Sequence, residues 1–145
     1  MGFLKKLFGS HHTSLELIDS DLGKFDSDFV KGIEVSWIGG SKLFGNSIEL
    51  LMDGSPEKLS LNQKQIVINA LANEELLKSE STVAIRNEYE NAEMEFTSLD
   101  EQFEVKAITS NENGFQLSFE QKESPYYYFN VHFENNKQQG VSIDS

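Results

Sequence analysis

Residues 103–144 alternate apolar and polar side chains, and this alternation constrains the fold more than any other feature of the chain. A period of two is typical of β-strands that bury one face. Asn113-Gly114 and residues 135–140 supply turn-forming residues between the segments. The spacing therefore predicts an antiparallel meander. Its predicted buried face contains Phe103, Val105, Ala107, Phe115, Leu117, Phe119, Tyr127, Phe129, Val131, Phe133, Val141 and Ile143.

Three further strands are predicted in the first part of the chain, at residues 22–25, 30–38 and 46–53. The second ends at Gly39-Gly40, and the third ends at residues 54–56, which include glycine and proline. Glycine and proline interrupt regular structure, so they mark the ends of strands. The apolar positions on one face of the longer two strands are Ile33, Val35, Trp37, Ile48, Leu50 and Met52.

Between residues 60 and 91 the apolar residues recur with the spacing of an α-helix. Ser60 and Gln63 have the spacing of a capping box, in which Ser60 caps the helix and Gln63 reaches back to it. Asn73 is expected to end this helix and to help begin a second one, from about residue 74 to 91. The predicted apolar stripes are Leu61, Val67, Ile68 and Leu71, then Leu77, Ala84, Ile85 and Tyr89.

The order of strands, a helical pair and strands indicates an α+β fold rather than an alternating α/β fold. We predict an antiparallel sheet of about six or seven strands with the helical pair packed on one face. A chain of 145 residues is expected to form one domain, here residues 15–145, after an N-terminal amphipathic turn and linker at residues 1–14. The expected core contains Trp37, Leu50, Val67, Leu71, Ile85, Phe115, Leu117, Phe119, Phe129, Val131 and Phe133.

Residues 1–9 are amphipathic. Their apolar residues Phe3, Leu4, Leu7 and Phe8 fall on one helical face, and Lys5 and Lys6 lie off it. One interpretation is a weak anchor to a membrane or to a partner. The other is a short turn, frayed or docked on the domain, because isolated helices of this length are marginally stable.

Composition narrows the range of partners. The chain carries 24 acidic and 12 basic residues, for a net charge of −12. This excess should repel nucleic acid and anionic membranes, so a basic protein is the expected partner. Stable membrane insertion is not expected, because no apolar run approaches the ~20 residues that cross a bilayer. The absence of cysteine excludes disulfides and thiolate sites and fits a reducing cytoplasm.

His132 is the candidate for chemistry on the predicted sheet. It shares a strand face with Asn130 and Glu134, and a histidine–carboxylate pair is suited to acid–base work. The pattern favours a solvent-facing sheet histidine, because no nucleophile motif accompanies it. His11 and His12 adjoin each other in the linker and cannot both face one metal ion from a regular element.

Acidic residues alternate around the first predicted strand as they do in calcium-binding loops. They are Asp19, Asp21, Asp26 and Asp28. The EF-hand pattern fails, because Lys24 occupies the position of its glycine and Val30 that of its bidentate glutamate. We therefore predict solvated turn residues, no metal site and no cofactor.

The strongest candidate for binding is residues 74–104, which contain ten acidic and two basic residues and carry a net charge of −8. Such a surface captures basic partners, or it is a solvated helix face that keeps an acidic protein in solution. Tyrosines on the open sheet face are a second candidate, with cross-strand packing as the alternative. The predicted partner-binding residues are Glu88, Glu90, Glu93, Glu95, Tyr126, Tyr128 and His132.

A set of segments occurs in a familiar order: residues 22–25 (Leu-Gly-Lys-Phe), the strand at 35–38 (Val-Ser-Trp-Ile), the helical pair that ends near Tyr89, and the closing strands at 128–137 and 141–144. Over about residues 15–144, the chain resembles the small bacterial domains of the DUF2004, DUF2262 and DUF6985 type, which are often found near toxin–immunity loci. The resemblance implies a compact, acidic, intracellular α+β domain and brings no established catalytic residues.

These features predict a non-enzymatic protein-binding domain, immunity-like or regulatory, that captures a basic partner in the cytoplasm. One alternative is a small enzyme that uses His132 with a nearby carboxylate. Another is a homo-oligomeric structural domain that dimerises through its tyrosine-bearing face. A deep pocket around His132 would favour the enzyme, and a flat acidic face would favour binding.

Overall fold

The structure, a computed structural model, describes residues 15–145, and for residues 28 and 29 it describes the backbone but not the side chains. The predicted N-terminal turn and linker, with His11 and His12, lie outside the described residues. The carboxylate of Asp28 lies outside them as well. The described chain forms one sheet with a layer of helices on one of its faces.

Eight strands form this sheet, and strands that follow each other in sequence lie side by side in space. They are β1 (Glu16–Asp19), β2 (Gly23–Lys31), β3 (Glu34–Leu43), β4 (Asn46–Gly54), β5 (Phe103–Ser110), β6 (Phe115–Gln121), β7 (Tyr128–Glu134) and β8 (Lys137–Asp144). Neighbours are antiparallel except for β4 and β5. The helical crossover explains this exception, because it returns the chain to the end of the sheet where β4 began. The predicted α+β class and antiparallel meander are confirmed.

The sheet is larger than the predicted six or seven strands. β1 spans only four residues, which is too short a run for a period of two to stand out. The Asp19 carboxylate accepts hydrogen bonds from the backbone N–H groups of Asp21 and Leu22, both at 3.0 Å, and so closes the turn into β2. The strand predicted at 22–25 is therefore the beginning of the longer β2.

Three helices connect β4 to β5: α1 (Leu61–Leu71), α2 (Glu74–Asn91) and the short α3 (Leu99–Gln102). The first two are the predicted helical pair, packed on one sheet face. The buried stripe of α2 contains the predicted Leu77, Ala84, Ile85 and Tyr89. Near its C-terminus the ring of Tyr89 lies 5.5 to 6.0 Å from those of Phe96, Phe103 and Phe129, and these four rings form an aromatic cluster under α2.

The helix ends confirm the predicted caps in part. The Oγ of Ser60 accepts a hydrogen bond from the backbone N–H of Gln63 at 3.3 Å, as a helix cap does. Asn73 donates from its side chain to the carbonyl oxygen of Asn69 at 2.7 Å, which helps to close α1. Asn73 is also the N-cap residue of α2, where its carbonyl oxygen accepts a hydrogen bond from the Leu77 N–H at 3.0 Å, but its side chain makes no cap hydrogen bond there.

The prediction of which α1 side chains face the sheet is confirmed at Val67, which is completely buried, and is wrong at the first turn of the helix. Leu61 is 69% exposed, whereas Gln63 is completely buried. The Gln63 amide oxygen accepts hydrogen bonds from the Asp53 N–H and the Ser110 hydroxyl, both at 2.9 Å. Its nitrogen donates to the carboxylates of Asp53 and Glu112, both at 3.0 Å. The four hydrogen bonds satisfy the buried amide and tie α1 to β4 and to the β5–β6 turn.

Neighbours of Gln63 extend these contacts. Asn62 donates to the backbone oxygen and to the carboxylate of Glu112, at 2.9 and 3.1 Å. The Nζ of Lys64 lies 3.0 Å from Oδ1 of Asp19 and 2.8 Å from Oδ2 of Asp21. We call Asn62, Gln63 and Lys64 the anchored end of the helical layer, because all three bind the sheet or its turns.

A β-bulge reverses the predicted parity in the second half of β5. The register between β5 and β6 shifts between Val105 and Ala107. The extra residue turns every following side chain to the other face. As a result Ile108 is completely buried and Ala107 lies half-buried on the open face, the reverse of the prediction.

Three other positions differ from the prediction because they lie at turns or edges. Ile33 is 80% exposed in the β2–β3 turn, and Tyr127 is 46% exposed just before β7 begins. Ile143 is 50% exposed because β8 is an edge strand with a neighbour on one side only. Of the expected core, Leu71 is half-buried. The remaining ten residues of that set are buried: Trp37, Leu50, Val67, Ile85, Phe115, Leu117, Phe119, Phe129, Val131 and Phe133.

Candidate functional site

The ten acidic residues between 74 and 104 fall into two groups. Some stabilise the fold: Glu74 accepts a hydrogen bond from the backbone N–H of Phe44 at 2.6 Å, and Glu80 accepts one from Gln138 at 3.1 Å. Asp100 pairs with Lys78 at 2.8 Å, and Glu104 pairs with Lys106. The others form no side-chain hydrogen bond or ion pair within the described chain. They are Glu75, Glu88, Glu90, Glu93, Glu95 and Glu101.

Five of these unpaired carboxylates lie at one end of the molecule. There α2 ends, β6 ends and β7 begins, and a hydrogen bond of 2.6 Å from the Gln121 amide to the Tyr89 hydroxyl joins α2 to β6. The backbone N–H of Lys122 donates to the carbonyl oxygen of Gln102 at 2.9 Å, which brings α3 to the same place. We call this surface the acidic end. It comprises Glu88, Glu90, Glu93, Glu95, Glu101 and Glu123, with the apolar side chains Met94, Tyr126 and Tyr127.

At the acidic end, the positions of Glu88, Glu90 and Glu93 lower the stability of the fold. Glu88 and Glu90 occupy the last turn of α2, which contains no basic residue, although the C-terminal end of a helix favours cations. Glu93 has a φ of 56°, in the left-handed region. The N–H groups of Met94 and Glu93 bond back to the carbonyl oxygens of Tyr89 and Glu90 at 2.8 and 3.1 Å. Glycine is the usual residue at this position of such a helix ending.

Apolar side chains stand among these carboxylates. Met94 is 53% exposed, Tyr126 is 82% exposed and Tyr127 is 46% exposed. Below them, burial raises the pKa of Tyr89, the hydrogen bond from Gln121 opposes the shift, and the Glu123 carboxylate adds to it. The surface also contains cations: Lys122 donates to the carbonyl oxygen of Asp100 at 2.6 Å, and Arg86 lies 5.5 Å from the ring of Phe96.

A second candidate surface is the open face of the sheet, on the side away from the helices. It contains a groove of about 660 Å³ across β4 to β8, which we call the open-face groove. Its lining includes Glu49, Leu51, Lys106, Glu120, Tyr128 and Asp144. Half-buried polar and apolar side chains cover its floor, so the groove is suited to an amphipathic occupant.

On one side of the groove, the charged groups form ion pairs and hydrogen bonds with one another. Lys106 pairs with Glu104 and lies 3.9 Å from Glu120, whose carboxylate accepts a 2.8 Å hydrogen bond from the Tyr128 hydroxyl. The hydrogen bond from Lys106, together with its charge, lowers the pKa of Glu104, and the same pair raises the pKa of Lys106. The hydrogen bond to Glu120 raises the pKa of Tyr128. On this side of the groove, the charged groups therefore form one connected network.

A second network runs to the edge strand. Asn130 is only 4% exposed; it accepts a hydrogen bond from the Ser118 hydroxyl at 2.8 Å and donates to the Asp144 carboxylate at 2.7 Å. Nε2 of His132 lies 2.8 Å from the hydroxyl of Ser142 on β8. Among the described residues, no carboxylate forms a hydrogen bond with His132, so the acid–base pair of the alternative prediction is not assembled by a hydrogen bond. A serine–histidine contact alone lacks the group that orients the base in known triads.

The aspartates near β1 hold an ammonium group. Lys64 binds Asp19 and Asp21, and burial of Asp19 opposes its charged form, but hydrogen bonds from Lys64 and two backbone amides hold its pKa below the ordinary value. Asp26 follows Phe25, which is completely buried in the core, so it points to the open face instead. In the part of the chain that the structure describes, no cluster of histidine and carboxylate side chains is arranged to hold a metal ion.

The structure divides the predicted partner-binding residues between the two surfaces. Glu88, Glu90, Glu93 and Glu95 share the acidic end with Tyr126, which lies in the β6–β7 turn rather than on the strand. Tyr128 and His132 lie on the open face, on the other side of the sheet. Met94 and Glu123, which also lie at the acidic end, are absent from the predicted partner-binding residues. Met94 could have been recognised from the sequence, because it lies between the predicted residues Glu93 and Glu95.

Comparison of the chain with protein-family models, with curated proteins and with solved structures found no match. The resemblance of residues 15–144 to small bacterial domains stays a prediction. No described helix is both long enough and apolar enough to span a membrane.

Proposed function

We propose that this chain is a non-enzymatic protein-binding domain, immunity-like or regulatory, that captures a basic protein partner through the acidic end. The observation that carries the proposal is the group of unpaired carboxylates around Glu93, which occupies a left-handed position that favours glycine. A side chain there costs the fold about 1 kcal/mol, and Glu88 and Glu90 oppose the helix dipole. Residues that work against local stability are concentrated at functional positions.

The composition of the acidic end supports binding to a protein. Interfaces combine a few apolar or aromatic anchors with a polar rim that fixes specificity. Met94, Tyr126 and Tyr127 provide the exposed anchors, and the surrounding carboxylates provide the rim. Long-range attraction between a carboxylate-rich surface and a basic partner accelerates their encounter and weakens as salt is added.

Net charge and composition support the proposed kind of partner and the proposed compartment. The net charge of −12 opposes binding to nucleic acid, and the absence of cysteine fits a reducing cytoplasm, where we place the encounter. A small enzyme that uses His132 and a dimer that uses the tyrosine-bearing face stay as the alternative predictions.

The test is zero-length carbodiimide cross-linking of the chain in an extract of its source cells, because this reagent joins carboxylates to the lysines of whatever is bound. Cross-linked peptides should contain residues of the acidic end. Reversal of Glu88, Glu90, Glu93 and Glu95 to lysine should abolish the cross-link, and moderate salt should weaken it.

The matched control reverses four exposed glutamates elsewhere, Glu34, Glu57, Glu75 and Glu134, and so changes the net charge by the same amount. This control should keep the cross-link. If both quadruple variants lose it equally, net charge alone drives association and the proposed site is wrong. If the links map to the open face, the binding surface is the other one.

A further inference from the structure

β8 is the last strand of the sheet, and it is paired with another described strand on its β7 side only. The backbone N–H of Gln121, at the end of β6, donates to the carbonyl oxygen of Tyr127 at 3.1 Å, and this bond fixes the hydrogen-bonding phase of β7. In an antiparallel sheet, successive residues direct their backbone groups to opposite sides. The odd-numbered residues of β7 therefore bond to β6, and the even-numbered ones bond to β8.

The register between β7 and β8 shows which backbone groups of β8 face away from the sheet. Even-numbered residues of β7 are level with Ser142 and Asp144, which therefore direct their N–H and C=O groups to β7. Val141 and Ile143 direct theirs the other way, to the free edge. Among the described residues, no strand or loop backbone bonds to these outward groups. They are available to a further strand.

The preceding part of the same edge is protected, because exposed strand edges are prone to unwanted pairing. The backbone N–H of Gln138 also points away from β7, and the Glu80 carboxylate of α2 accepts its hydrogen bond at 3.1 Å. A β-bulge follows at Gln139, which has no partner in the register with β7. Bulges interrupt strand pairing. The edge is thus closed up to the bulge and open beyond it.

A groove of about 330 Å³ lies beside this edge, between β8 and the C-terminal half of α2. Ala84, Asn87 and Glu88 line it from α2, and residues 138–141 line it from β8. Glu88 is half-buried there, and its carboxylate forms no ion pair within the described chain. The side chain of Val141 packs against the core on the same face of the sheet. A residue level with Val141 in an added strand would therefore place its side chain in the groove.

Charge decides between two possible occupants of this edge. A second copy of the chain would present its own β8, whose side chains on the helix face are Val141 and Ile143, and would leave the Glu88 carboxylate without a cation. Two chains that each carry a net charge of −12 also repel each other. A lysine or arginine, in contrast, packs its stem on apolar side chains such as Ala84 and pairs its charged head with Glu88. An extended basic segment of another protein suits both the edge and the groove.

We propose that the partner adds an extended segment as a further strand along the free edge of β8. Its backbone pairs with Val141 and Ile143, and one of its lysine or arginine side chains lies in the groove beside Glu88. Sheet edges recognise extended peptides in this way, because main-chain hydrogen bonds supply affinity and side-chain pockets supply specificity. The basic character of the partner rests on the proposed function, whereas its extended conformation rests on the edge of β8.

The probe is the capped peptide Thr-Val-Thr-Lys-Thr-Val-Thr, which has one lysine in a sequence that favours strands. In NMR titrations of the isotope-labelled chain, the amide signals of Val141 and Ile143 should shift, and their hydrogen exchange should slow severalfold. The Ser142 amide, which already faces β7, is the internal control, and its exchange should change less. Unchanged exchange at Val141 and Ile143 with millimolar peptide overturns the proposal.

A methyl group on one backbone nitrogen of the peptide tests the strand pairing. A residue level with Val141 directs its own backbone groups toward β8, so methylation of the lysine nitrogen should weaken binding about tenfold. Methylation of the adjacent threonine nitrogen, which points to solvent, is the matched control and should leave the affinity nearly unchanged. Equal effects of the two methyl groups contradict the added strand.

Substitutions at Glu88 test the place of the lysine. Glu88→Gln should weaken binding of the peptide severalfold, because it removes the carboxylate from the groove. Glu75→Gln, at an exposed position in the first turn of α2, removes an equal charge and should leave binding unchanged. When glutamate replaces the lysine of the peptide, Glu88→Lys should bind it severalfold more tightly than the unaltered chain does. Equal effects of Glu88→Gln and Glu75→Gln place the lysine outside the groove and overturn the proposal.

The second copy is tested in the absence of peptide. If hydrogen exchange at Val141 and Ile143 slows as the chain concentration rises, the edge belongs to a second copy and the proposal is overturned. Exchange that does not depend on chain concentration supports an edge that is free for another protein.

The peptide titration uses no partner from the cell extract, so its result is independent of the cross-linking that tests the proposed function. Cross-links at the acidic end without a peptide response at β8 overturn the added strand and leave the proposed function standing. A peptide response at β8 with cross-links elsewhere supports the added strand and overturns the acidic end as the binding surface.

Discussion

The two ends of the helical layer use polar residues in opposite ways. At the anchored end, Gln63 is completely buried and makes four hydrogen bonds, and Lys64 binds two aspartates. At the acidic end, Glu88, Glu90, Glu93 and Glu95 make no such contact within the described residues. The first group is explained by the fold alone. The second group has no role in the fold that the structure shows, which makes it available to a partner.

Phe129→Ala should have the largest effect, because the acidic end is built on the aromatic cluster of Tyr89, Phe96, Phe103 and Phe129. Phe129 is 8% exposed, and its ring centroid lies 4.9 Å from that of Phe103. Loss of the ring should lower the free energy of unfolding by about 3–5 kcal/mol. Urea denaturation measures it. Tyr127→Ala, two residues away at the surface, should cost far less, and equal costs would contradict the burial of Phe129 under α2.

Gln63→Leu tests the anchored end. The substitution keeps the approximate size of the side chain but leaves the Asp53 N–H without its hydrogen-bond partner. It also removes one hydrogen bond each from Ser110 and Glu112. We expect a loss of about 3 kcal/mol in the free energy of unfolding, because buried polar groups lose their hydrogen bonds. Gln65→Leu, on the exposed side of the same helix, is the control and should change stability by less than about 0.5 kcal/mol. A neutral Gln63→Leu would show that the network contributes nothing.

Glu93→Gly should act in the opposite direction from the first two variants. Glycine has no Cβ to strain at a φ of 56°, so the free energy of unfolding should rise by about 1 kcal/mol. The same variant should weaken cross-linking to the partner. Glu95→Gly removes an equal charge at a position without a positive φ, and it should not stabilise the protein. A destabilised Glu93→Gly would remove the main argument for a functional role of this residue.

The smallest expected effect concerns pH at the anchored end. The pKa of Asp19 is lower in the folded protein than its ordinary value, so its contribution to stability is present above the ordinary aspartate pKa of about 3.9. That contribution is lost as the pH falls through the lower, folded-state value. Melting curves across this acid range should show a shallower loss for Asp19→Asn than for the unaltered chain. Parallel curves would show that Lys64 does not stabilise the Asp19 carboxylate.

The sequence pattern predicted most accurately those elements whose buried residues repeat without interruption. The stripe of α2 and the alternation of β6 and β7 are read correctly, because each side chain faces the layer that the local period assigns to it. The pattern failed at β1, at the bulge in β5 and in the first turn of α1. A period cannot show an extra residue in a strand, nor can it show that partners from other elements will satisfy a buried glutamine.

The candidate surfaces were likewise predicted from the sequence only in part. The concentration of charge in residues 74–104 is a property of the sequence, and it identified the four glutamates of α2 and the following turn. Which of the ten acidic residues remain unpaired depends in part on residues distant in the chain, such as Phe44 and Gln138, so only the fold reveals it. The open-face groove likewise arises from five strands at once.

By itself, then, the sequence determined the α+β class, the helical pair, the meander and the net charge, because these depend on local periodicity and composition. The tertiary structure decided the strand count, the facing of Ile108 and Gln63, and the separation of Tyr128 and His132 from the acidic end. Those features depend on contacts between elements far apart in the chain. Local periodicity carries no information about such contacts, since it records only which face each residue presents within its own element.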